Sequence, residues 1–295
     1  MKSIYILILT LFTAHASLHA QSKENEIPFQ LLPSGHLLVK ASVEGIEGNF
    51  IFDTGAGITV FVKQFSDKLK ALKKEDGGYT GFRATGERLD IDLYQVKDFN
   101  LGPIHKDWQE VSSIEANFGG LDGIIALKFL ENTAFTIDYE KKVIRLETAG
   151  SIREIKKSAQ ILPVQLEQSR DKSLTLFSYF KVNDTLKLQF SLDSGAGKDV
   201  YRINAKYMEA LGIDKSDTAH VKTITKKSEV DENFVSHIYL AQVKKLACNN
   251  TASIGIENFR AQFLEGLIYD GIIWINWLGS KITFNLDEKE LLIQR

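Results

Sequence analysis

The stretch Phe52-Asp53-Thr54-Gly55-Ala56-Gly57 returns 140 residues later as Leu192-Asp193-Ser194-Gly195-Ala196-Gly197. Its surroundings return with it. Asp122-Gly123-Ile124-Ile125, followed by Leu130, recurs as Asp270-Gly271-Ile272-Ile273, followed by Leu278. Ile137-Asp138-Tyr139-Glu140-Lys141-Lys142-Val143 has a looser echo in Phe284-Asn285-Leu286-Asp287-Glu288-Lys289-Glu290. Pro28-Phe29-Gln30-Leu31 leads the first half as Pro163-Val164-Gln165-Leu166 leads the second. Landmarks in one order at a nearly constant offset mark an internal duplication. It predicts two similar units, 21–149 and 150–295, divided near 147–151, where Gly150 and Ser151 interrupt the strand pattern.

The units read as mainly β. Apolar and polar residues alternate with a period of two over 37–43, 49–52, 89–96, 143–146, 186–192 and 281–286, the pattern of half-buried strands. Gly, Asn and Asp punctuate them at 45–48, 183–184 and 287–288. Two stretches, 61–72 and 204–211, read as short helices.

In each repeat an apolar strand, Phe50-Ile51-Phe52 or Phe190-Ser191-Leu192, leads an Asp out of the core. The glycines then let the backbone turn sharply and approach another segment closely. The hydroxyl of Thr54 or Ser194 is suited to bond across to the opposite loop. Thr54, Gly55, Ser194 and Gly195 are thus the candidate loop-locking residues. The chemical reason for duplicating an Asp is charge. Two carboxyls at hydrogen-bond distance cannot both ionise cheaply, so they share one proton, and one acid and one base coexist at one pH. The pair titrates as a unit, and the sequence assigns neither role to Asp53 or to Asp193.

Paired Asp-Thr/Ser-Gly-Ala motifs resemble the active-site loops of the aspartic peptidase clan, the pepsin and retropepsin families. The Asp-Gly-Ile-Ile segments resemble the clan's second landmark, a strand passing behind each catalytic loop. The resemblance spans both repeats and implies two pseudo-symmetric retropepsin-like β-barrel lobes with a cleft between them. It implies Asp53 and Asp193 as the catalytic pair of an endopeptidase that takes polypeptide in extended form, with no cofactor and no metal, as a monomer. The Gly-rich segment 77–86 then reads as a hairpin flap, with Gly78, Tyr79, Gly81 and Phe82 as flap residues and Tyr79 or Phe82 over the site. One departure stands out. Where the clan has Gly after the two hydrophobics, this chain has Ala126 and Trp274. The indole is expected to crowd the second loop, by slipping the strand register or by displacing the loop. Such displacement favours the alternative function, a catalytically inactive peptide- or ligand-binding relative. A glycoside hydrolase also uses two carboxylates, but nothing ties these loops to sugar-stacking aromatics.

Composition excludes other classes. A formal net charge of -2 leaves no electrostatic footprint for nucleic acid. Residues 1–20 carry Lys2, an apolar run over 4–14 and small residues at Ala16 and Ala20. That is the layout of a signal peptide, so the chain is expected to be exported, to the periplasm or beyond, with no membrane attachment afterwards. Cys248, the single cysteine, permits no internal disulfide and is expected to be buried or half-buried. His105 and Asp107 are neighbours without a third ligand, and the Lys-rich stretches 68–74 and 222–227 read as solvated faces. Asp122 and Asp270, each before Gly, read as turn residues rather than catalysts.

Overall fold

The computed structural model describes residues 24–228, 233–251 and 253–295; the expected signal peptide lies outside them. The first half holds ten strands: β1 (Glu26–Leu31), β2 (Leu37–Val43), β3 (Ile46–Asp53), β4 (Val60–Val62), β5 (Lys73–Phe82), β6 (Arg88–Leu101), β7 (Ile104–Ile114), β8 (Gly123–Ala126), β9 (Phe135–Asp138) and β10 (Val143–Leu146). The second holds eleven: β11 (Gln160–Pro163), β12 (Gln165–Ser169), β13 (Ser173–Val182), β14 (Leu186–Asp193), β15 (Tyr201–Asn204), β16 (Lys222–Lys227), β17 (Val235–Cys248), β18 (Gly255–Leu264), β19 (Gly271–Trp274), β20 (Lys281–Asn285) and β21 (Glu290–Gln294).

Alternation explains the strands. Along β2, Leu37, Val39, Ala41 and Val43 are buried while Lys40 faces out. On β3, Phe50 and Phe52 anchor a cluster with Phe61, Phe65, Phe99 and Phe135. Strands β2-β3-β8-β4-β7-β6 follow one another, and a β2–β6 pairing closes them into a six-stranded barrel. The same order recurs strand for strand in the second sheet as β13-β14-β19-β15-β18-β17, whose ends are joined by a β13–β17 pairing.

The halves are not separate sheets. β9 pairs with β20, so the order β1-β10-β9-β20-β21-β11 runs through both. Thr136 faces Thr283 there, their buried hydroxyls bonded at 2.7 Å. Phe135 stacks on Phe284 with centroids 4.5 Å apart. The strand leads bend alike: the Phe29 N–H donates to Lys142 O and the Val164 N–H to Lys289 O.

Helix is scarcer than the pattern predicts. Only α1 (Lys63–Ser66) forms within 61–72, because Val60–Val62 is drawn into pairing with β7 and β8. Over 204–211 there are two 3₁₀ turns, with Asn204 capping the Lys206 N–H. Conversely, Gly150 and Ser151 do not break structure but sit inside α2 (Ala149–Lys156). Thr148 and Ser151 cap its first turn reciprocally, an arrangement that satisfies two otherwise orphaned N–H groups. Cys248 is buried and unpaired. Among the described residues no helix is long and apolar enough to cross a membrane.

Candidate active site

Strand pairing delivers the two aspartates. β3 runs parallel to β8 and ends with Asp53 opposite Ala126, and β14 runs parallel to β19 and ends with Asp193 opposite Trp274. The loops that follow interlock. The Thr54 hydroxyl donates to Leu192 O at 2.8 Å and accepts from the Ser194 N–H at 2.9 Å. The Ser194 hydroxyl donates to Phe52 O at 3.1 Å and accepts from the Thr54 N–H at 3.0 Å. Both side chains are fully buried, so all four bonds are shielded from competing water.

The lock brings each carboxyl against the opposite loop. A Cβ on Gly55 would stand 2.3 Å from the Asp193 carboxyl carbon, and one on Gly195 would stand 2.3 Å from that of Asp53. Only glycine leaves room for the pair. The Gly55 and Ala56 N–H groups donate to Asp53 Oδ1 at 2.7 and 3.2 Å. Asp193 Oδ1 receives the Gly195 N–H alone, at 2.6 Å.

The Asp193 carboxyl is held well above the usual carboxylate range. Burial is the main cause, followed by the Asp53 charge and a hydrogen bond between the two side chains. Arg202 and the Gly195 N–H pull the other way. Part of each aspartate's surface still reaches solvent. Burial and proximity disfavour charge on both carboxyls at once, and Asp53 accepts one more backbone donor than Asp193.

Trp274 neither slips the register nor displaces the loop. It pairs with Asp193 just as Ala126 pairs with Asp53, and the crosswise lock stands. Its indole instead packs with Ala196, and its N–H donates to Gly35 O at 3.3 Å. Gly35 has φ +89°, and a Cβ there would meet the indole at 2.9 Å. A glycine in the opposite turn makes the space.

Segment 77–86 forms a hairpin, β5 pairing with β6 and Tyr79 opposite Ile91. Tyr79 is buried, and its hydroxyl bonds Ser173 of the second half at 3.0 Å. Arg170 stacks over the Tyr79 ring at 4.9 Å and donates to Gly78 O at 3.4 Å. Gly81 lies against that ring, whereas Phe82 is 56% exposed. At the tip, Ala84 O accepts from the Ile268 N–H at 3.3 Å. Arg83 donates to the Ser228 hydroxyl at 2.7 Å, and that hydroxyl bonds the buried Glu87 carboxylate at 2.8 Å. Ser228 follows β16, the counterpart of β5, so the two hairpins meet.

Several contributors escaped the sequence reading: Arg170, Ser173, Ser228 and His36, whose Nε2 lies 3.0 Å from Gly195 O. No motif marks them, since each acts through a turn that only the fold brings to the site. Asp122 and Asp270 stay outside it and accept from the Asn49 and Gln189 N–H groups at 2.8 and 3.3 Å. His105 bonds Asp107 and Asn100, and among the described residues no group of three His, Cys, Asp or Glu side chains could hold a metal ion. No protein-family model and no curated protein matches the chain.

Proposed function

We propose that this protein is an aspartic endopeptidase of the pepsin/retropepsin type, built as two pseudo-symmetric barrel lobes with the substrate cleft between them. The observation that carries the reading is the crosswise hydroxyl lock that sets each carboxyl, Asp53 and Asp193, against the glycine of the opposite loop. With the proton on Asp193, the Asp53 carboxylate takes a proton from a water that attacks the scissile carbonyl carbon. Asp193 gives its proton to the carbonyl oxygen as the tetrahedral diol forms. Collapse of the diol returns a proton to Asp193 and breaks the C–N bond, while the proton held by Asp53 moves to the departing amine. The pair ends as it began, with one proton between them. No covalent intermediate is formed.

Each half supplies one Asp, so a single chain completes the pair and the working unit is a monomer. Cleft geometry of this kind suits an extended polypeptide, with the 77–86 hairpin as its cover. The leader-like 1–20 supports export to the periplasm or medium. The test is cleavage of a denatured protein between acid and neutral pH, comparing wild type with Asp53→Asn and Asp193→Asn. Wild type cleaves, and each variant loses at least about 10³-fold in kcat while staying folded. A folded wild type that cleaves nothing over that range defeats the proposal.

A further inference from the structure

The duplicated loops have nearly the same sequence, yet their carboxyls are solvated differently. Asp53 Oδ1 collects two backbone N–H groups, from Gly55 and Ala56. Asp193 Oδ1 collects one, from Gly195. Ala196, the counterpart of Ala56, donates to neither carboxyl. The difference has a neighbour with no equivalent in the other loop. His36, at the end of the β1–β2 turn, sets Nε2 3.0 Å from Gly195 O and Nδ1 2.8 Å from Ser34 Oγ. A carbonyl only accepts, so Nε2 carries a hydrogen toward Gly195 O, while Nδ1 shares a hydrogen bond with the Ser34 hydroxyl. At the matching place in the second half stands Thr175, which lies by Gly57 as His36 lies by Gly197.

A trans peptide is planar, with its C=O and N–H pointing to opposite sides. A Gly195 carbonyl held toward His36 therefore aims the Ala196 N–H away from it. Resting on the peptidase reading of this site, we propose that His36 is a positioning residue that breaks the symmetry of the pair: it withholds the Ala196 N–H from Asp193 and so fixes the shared proton there.

The groups around this arrangement are few. Lys198 donates its backbone N–H to Ser34 O at 2.7 Å, and Trp274 donates to Gly35 O, both on the same turn as His36. Facing Asp193 are Asp53 and Arg202, and Tyr269, which feels the charge of Asp193 and of Tyr79.

The test compares wild type, His36→Gln and His36→Phe. Two readouts are used: the Asp53 and Asp193 carboxyl-carbon NMR titrations, assigned through the Asn variants, and the pH profile of kcat/KM. Gln keeps an N–H donor near the Nε2 position but no titrating ring. In His36→Phe the upper pKa of the pair falls by about one pH unit, and the alkaline limb moves with it. The kcat falls and KM holds, while His36→Gln keeps the wild-type titration. Ser34→Ala, which frees the ring at Nδ1, shifts the titration in the same direction by less and serves if the Phe variant does not fold. An unchanged titration in the Phe variant, or an equal shift in the Gln variant, overturns the proposal. If wild type titrates as a shared pair but cleaves nothing, the peptidase reading falls and the carbon titrations still decide the role of His36.

Discussion

At the scale of residues, the site turns on how badly one carboxyl tolerates charge. Asp193 holds its proton because burial and the neighbouring Asp53 both disfavour ionisation. This has a consequence for stability. A group whose pKa is raised by folding binds its proton more tightly in the native state. Its favourable contribution is complete below the ordinary carboxylate range and is lost as pH rises through the raised value. Asp193→Asn removes that loss. The variant is expected to gain stability over wild type at neutral pH and nothing at pH 3. Thermal unfolding at the two pH values measures it. An equal effect at both would mean that Asp193 titrates normally. Trp274 belongs to this scale as well. Its bulk is harmless because its strand aims the indole at a turn where Gly35 offers bare backbone, a pairing between residues 239 apart that no local pattern reveals.

At the scale of elements, the hairpin of β5 and β6 is tied down at both ends. Near its base, Tyr79 is bonded to Ser173 and stacked under Arg170, and Lys172 pairs with Glu75 and Glu110. At its tip, Ser228 joins Arg83 and Glu87. Ser228→Ala deletes these tip bonds, worth about 1–2 kcal/mol together. Amide hydrogen exchange over 79–91 is then expected to quicken by roughly tenfold, with the core strands unchanged. Equal exchange would show that the tip contact does not hold the hairpin. The hairpin itself was legible in its glycines, as were the central strands in their alternation. The flanking helices were not. Val60-Phe61-Val62 carries a helix-compatible run of apolar residues, yet parallel pairing with β7 claims it. The Thr148–Ser151 cap went unread because Gly150 within it resembles a breaker. Tertiary pairing and capping outvote local periodicity in these segments.

At the scale of the molecule, the duplication was visible in spacing alone, but not how the halves join. The last two strands leave the second barrel order and pair into the sheet of the first, so that Thr136 and Thr283, equivalent in the repeat, face each other. A boundary at 149/150 therefore divides the sequence without dividing the hydrogen-bonded sheet. Phe284→Ala removes the ring stacked on Phe135 in this shared layer. It is expected to cost about 3–5 kcal/mol and to lower the stability of both halves in a single denaturant transition. Two separated transitions, with the first half unaffected, would contradict a joint core.

Catalysis by this pair requires two carboxyls converging on one proton and one attacking oxygen. Calorimetric binding of a peptide carrying a statine-type hydroxyl tests this most directly, because that hydroxyl occupies the place of the diol oxygen. Wild type is predicted to bind it, with affinity falling at least about 100-fold for Asp53→Asn and for Asp193→Asn alike. Equal affinity across all three proteins, or none in the wild type, would contradict it.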